Sequence, residues 1–77
     1  MRKFKTYMTE DEWKLIFTKN LRELLERNEM TQSSFAAYMY LTPSVISKYV
    51  NGSVVPRIGV LLRMCEVLDC ELSDLIC

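Results

Sequence analysis

Histidine is absent from the 77 residues. That removes the commonest general base and any metal site built on imidazole. Glycine and proline occur only twice each, too few to supply the turns of an all-β sandwich. No apolar run nears the roughly 20 residues that span a bilayer. The basic start, MRKFKTYMTEDEW, leads into no hydrophobic stretch that could act as a signal peptide. Paired cysteines are missing too: Cys65, Cys70 and Cys77 make neither an even disulfide framework nor a CxxC motif. They read as free thiols in a reducing cytoplasm. A glycine-rich phosphate loop is also lacking, so no enzyme activity, cofactor, metal or small-molecule ligand is expected. The expectation is a cytoplasmic protein of one small domain, with no membrane association and no separate effector domain.

Charge is balanced, ten basic against ten acidic residues, yet it is unevenly spread. Residues 1–30 carry seven basic and six acidic groups. Residues 31–63 carry Lys48, Arg57 and Arg63 and no acid, whereas residues 64–77 carry four acids and no base. Local field matters more than net charge. The acid-free middle is therefore where a negative ligand would be met.

Hydrophobic residues make up 49% of the chain and charged ones 26%, ordinary globular usage, and their spacing is helical. Met1–Met8 is polar and basic without a period and reads as an arm, leaving 9–77 as the folded domain. Thr9 with Glu12 is a capping-box pattern. After it Trp13, Phe17, Leu21, Leu24 and Leu25 recur on one face, widened by Ile16, which predicts a helix from about Glu10 to Asn28. Thr31 caps a short second helix through about Met39, with Phe35, Ala36 and Met39 inward. Thr42 caps a third, with Pro43 at its first position, where a missing N–H costs nothing. Ile46 and Tyr49 point one way from it, and Pro43, Ser44, Ser47, Lys48 and Asn51 the other. Asn51-Gly52 ends it. A fourth helix runs from Arg57 to about Leu68, with Ile58, Leu61, Leu62, Cys65 and Leu68 expected inward. A last short helix covers Glu71–Ile76. The fold class is all-α, five helices around one core.

Only Met39-Tyr40-Leu41-Thr42 links the second and third helices, which holds them at a fixed steep angle, as in a helix-turn-helix. The segment TQSSFAAYMYLTPSVISKYVNGSVVP resembles the lambda-repressor-like (Cro/cI or XRE-type) family. The matching pieces are Thr31-Gln32, Phe35-Ala36, Leu41-Thr42, Ile46-Ser47, Tyr49, Asn51-Gly52 and Pro56, with Leu61, Leu62, Leu68, Leu72 and Leu75 in the last two helices. The resemblance covers residues 21–76. It implies a transcriptional regulator that binds double-stranded DNA, most plainly as a homodimer, with the helix at 43–51 in the major groove. Thr31 and Thr42 would cap the two helices. Gln32 and Asn51 would hold phosphates, Pro43, Ser44 and Lys48 would face the bases, and Ser47 would belong to the same DNA-binding face. Arg57 would reach toward the minor groove.

Some positions depart from the pattern. Tyr40 stands where relatives usually place the turn glycine, so either it takes a positive φ at about 1–2 kcal/mol or the turn is differently shaped. Leu25 and Val50 replace an arginine and a glutamate that pair in many members. Trp13, Ile16 and Phe17 exceed what the minimal fold needs. They are expected to pack partly on Leu72, Leu75 and Ile76, leaving Trp13 outermost as a candidate dimer contact. The alternative reading is an antitoxin-like or adaptor module that keeps the fold and binds protein through Tyr38, Tyr40, Val50, Val54 and Val55.

Overall fold

Three threonine-led starts, one led by arginine and one by glutamate, together with four left-handed stops, divide the chain into helices. The computed structural model describes residues 9–77, so the expected arm lies outside the described residues. The elements are α1 (Glu10–Arg27), α2 (Gln32–Met39), α3 (Pro43–Asn51), α4 (Ile58–Leu68) and α5 (Leu72–Ile76), with no strand among the described residues. At the head of α1 the Thr9 hydroxyl accepts from the Glu12 N–H at 3.1 Å, and the Thr9 N–H donates to the Glu12 carboxylate at 3.0 Å. Each bond satisfies a donor that the helix leaves open.

The helix ends share one device. In α1, Met30 N–H donates to the Leu25 carbonyl and Glu29 N–H to that of Glu26, at 2.9 and 3.0 Å. In α2 the same pair of bonds joins Leu41 to Ala36 and Tyr40 to Ala37, at 2.9 and 3.2 Å. α3 and α4 repeat the pattern around Gly52 and Asp69. This is the Schellman arrangement, which needs one left-handed residue per helix. With two glycines in the chain, only Gly52 (φ 80) fills that place without strain; Glu29 (φ 55), Tyr40 (φ 57) and Asp69 (φ 51) fill the others. A Cβ on Gly52 would meet Thr18 Cγ2 at an ordinary 3.4 Å, so it is the left-handed backbone that calls for glycine.

The core gathers Phe17, Leu21, Leu24 and Leu25 from α1 with Phe35, Ala36 and Met39 from α2. Ile46, Tyr49 and Val50 from α3, Leu61, Met64 and Leu68 from α4, and Leu75 from α5 complete it. α5 packs back on α1, where Asn20 Nδ2 donates to the Leu75 carbonyl at 2.9 Å. Trp13 stacks on Phe17 with ring centroids 5.1 Å apart, so its indole is used within the chain. Exposed apolar surface on α1 falls instead at Leu15, which is 72% accessible.

The expected phase of α4 needs correction. Ile58 and Leu62 are 60% and 51% exposed, while Met64, left out of the expected stripe, is fully buried. Apolar residues cover most of this helix, so hydrophobicity alone does not choose a face. Contact with α2 and α5 turns Leu61, Met64 and Leu68 inward and leaves Ile58 and Leu62 outside. Val50 is likewise buried, at 7%, and cannot belong to an exposed patch.

Candidate nucleic-acid interface

α2 and α3 are joined by Tyr40-Leu41-Thr42 and pack against each other across Phe35, Ala36, Met39, Ile46 and Tyr49. Because α3 buries Ile46, Tyr49 and Val50, its opposite face is fixed. Pro43, Ser44, Ser47, Lys48 and Asn51 all lie on that face and all are exposed. Helical spacing places 43, 47 and 51 in one row and 44 and 48 in the next. The structure thus brings these five residues onto one surface.

The heads of both helices are organised by their caps. The Thr31 hydroxyl accepts from the Ser34 N–H at 3.1 Å, and the Thr31 N–H donates to Ser34 Oγ at 3.0 Å. Serine here stands in for the usual glutamate of a capping box, so no carboxylate occupies the head of α2. The Thr42 hydroxyl accepts from the Val45 N–H at 3.3 Å. Neither first turn contains an acid. Each keeps its positive dipole end open to an anion. Gln32, the first residue of α2, is exposed at such an end.

Asn51 is oriented by its own turn. Its Oδ1 accepts from the Ser53 N–H at 2.9 Å and from the Ser53 hydroxyl at 2.6 Å. With the oxygen engaged, the Nδ2 donors are the free edge, which suits an anionic acceptor. Asn51 also borders a shallow recess with Asp11, Lys14, Leu15, Thr18 and Gly52. Lys14, with Asp11 in the same recess, is therefore a basic neighbour of the α3 terminus. Its 37-residue separation from Asn51 gave no local signal.

The three bases of the acid-free segment part company. Lys48 is exposed on the α3 face. Arg57 is exposed at the N-cap of α4 and makes no capping bond there, since a guanidinium has no acceptor to offer an N–H. The fourth helix consequently begins at Ile58, one residue later than expected. Arg63 is spent on structure: its Nη1 donates to the Met39 carbonyl at 3.0 Å, closing the C-terminus of α2 from α4.

Residues 21–75 match the helix-turn-helix family model. This chain belongs to the helix-turn-helix family. The match agrees with the lambda-repressor-like resemblance and makes the chain a DNA-binding domain of the regulatory type. The solution structure of the SOS-response transcriptional repressor LexA from Eubacterium rectale is similar to this helix-turn-helix chain. The two share 29% identity and a TM-score of 0.81, over 90% of this chain and 73% of that one. Among curated proteins none matches it. Among the described residues no group of three or more potential metal ligands forms, and no helix is long and apolar enough to cross a membrane.

Proposed function

We propose that this domain regulates transcription in the cytoplasm by binding double-stranded DNA as a homodimer, with α3 in the major groove. The observation that carries the reading is the single outward face of Pro43, Ser44, Ser47, Lys48 and Asn51, flanked by two acid-free helix heads. A helix fits a groove about 12 Å wide and meets base edges with its N-terminal side chains. Pro43 and Ser44 offer apolar and small polar contact, including to a thymine methyl. Ser47 and Lys48 add a hydroxyl and a cation for guanine or phosphate. Gln32 and the Asn51 amide hold phosphates on either side, helped by Lys14. Thr31 and Thr42 act by aiming backbone N–H groups. Arg57 reaches for the adjacent minor groove.

A second copy supplies the other half-site. Ile58 and Leu62 stand one turn apart on α4 and are exposed, with Arg57 and Glu66 beyond them at opposite ends of the row. An antiparallel α4 pair would bury Ile58 and Leu62 of both copies and leave Arg57 to the DNA.

The test is a duplex-binding titration of Lys48→Ala and Gln32→Ala, read beside their melting curves. Each substitution should weaken binding by about tenfold, the magnitude of one charge-assisted or phosphate contact. Melting should move little, because changes on an exposed face stay within about 0.5 kcal/mol. Parental affinity in both variants would contradict the assignment.

A further inference from the structure

The stop of α4 places two cysteines where a Schellman motif brings side chains together. Cys70 N–H donates to the Cys65 carbonyl at 3.0 Å, and Asp69 N–H to that of Glu66 at 3.4 Å, with Asp69 left-handed. In this motif the residue two beyond the helix packs on the third residue from its end. In α1 those positions hold Met30 and Leu25, and in α2 Leu41 and Ala36. All four are apolar and belong to the core or its margin. In α4 both are cysteine, half-buried and packed against the same core. The Cys65 side chain neighbours that of Cys70 closely enough to act on it. Burial first, then the neighbouring Cys65 sulfur, pushes the Cys70 thiol up to about 11, with Asp74 and Asp69 adding to it. Cys70 therefore keeps its proton beside Cys65. Cys77 has no place in the motif.

We propose that Cys65 and Cys70 are a reversible thiol–disulfide site, closed to an intrachain disulfide by a low-molecular-weight disulfide such as oxidised glutathione. The Cys65 thiolate attacks one sulfur of the small disulfide. That S–S bond breaks, a mixed disulfide forms on Cys65, and one small thiolate leaves and takes a proton. The Cys70 sulfur then loses its proton, attacks Cys65 Sγ, and expels the second small thiol. Two protein thiols are oxidised and one small disulfide is reduced to two thiols. The product staples the last turn of α4 to the residue that leads into α5. The α3 face carries no part of it.

The experiment incubates the full chain with oxidised glutathione, quenches with acid, and measures mass before and after cleavage following Glu66. That cut separates Cys65 from Cys70, and a second cut following Glu71 separates Cys77 from both, so the mass of the joined peptides names the bonded pair. The expected product has lost two hydrogens at this pair, with any glutathione confined to Cys77. Its melting temperature should rise by at least about 5 °C, as closing even a short loop does, and dithiothreitol should reverse the rise. A Cys70→Ser variant should stop at a mixed disulfide on Cys65. Wild-type chain with glutathione on both Cys65 and Cys70 would overturn the proposal. So would a bond from either one to Cys77 or to a second chain.

Discussion

Tyr40 shows at one residue what a scarcity of glycine does to a helical chain. Its φ is 57 and the residue is 88% exposed, so the backbone carries the left-handed strain while the side chain recovers almost nothing by burial. The position is fixed by its neighbours: Leu41 N–H must reach the Ala36 carbonyl and Arg63 closes Met39. Replacing Tyr40→Gly should stabilise the domain by about 1 kcal/mol, the left-handed penalty less the entropy glycine regains when unfolded. For a domain of this size that is a rise of roughly 4–8 °C in Tm. A calorimetric melt checks it, and a Tm that stays or falls would show that the tyrosine contributes something beyond its backbone. Polar side chains serve the helix ends as well. Asn28 Nδ2 donates to the Leu24 and Leu68 carbonyls at 2.8 and 3.4 Å, tying the ends of α1 and α4 together.

At the scale of elements, α1 and α3 meet through apolar residues where an arginine–glutamate pair would be expected from the family resemblance. Leu25 and Val50 are both buried in one core. Exchanging both charges for apolar groups leaves no orphan, whereas restoring one of them does. Leu25→Arg alone should therefore cost about 3 kcal/mol, and adding Val50→Glu should return at least about 1 kcal/mol of it. Urea titrations of the two single variants and the double variant give the coupling; strict additivity would mean the residues do not touch. The starts of these helices were legible in sequence because a cap is local: Thr9 with Glu12, Thr31 and Thr42 each act within three residues. So was the face of α3, where polar and apolar residues separate cleanly. The face of α4 was not. Its apolar residues surround the helix, and Met64 was chosen over Ile58 and Leu62 by packing on distant segments. For the same reason the tie from Arg63 to Met39 and the recess shared by Lys14 and Asn51 gave no sign in the chain order.

For the whole molecule, ten positive and ten negative charges cancel, and function rests on where they sit. The acid-free stretch folds into α2, α3 and the start of α4, while the four acids of residues 64–77 fall on later α4 and the α5 end. Lys48, Arg57 and Arg63 are all exposed, but the Arg63 guanidinium is tied to the Met39 carbonyl, away from the α3 face. One copy therefore has few charge contacts to offer a duplex, which is the reason for proposing that two copies bind together. The central claim is that the outward face of α3 reads DNA and that two copies read it together. Selection of bound sequences from a random duplex pool tests both halves at once. The account predicts an enriched inverted repeat whose half-site centres lie about 10 base pairs apart, with enrichment lost in Lys48→Ala. A pool that stays random, or one that Lys48→Ala enriches equally well, would contradict it.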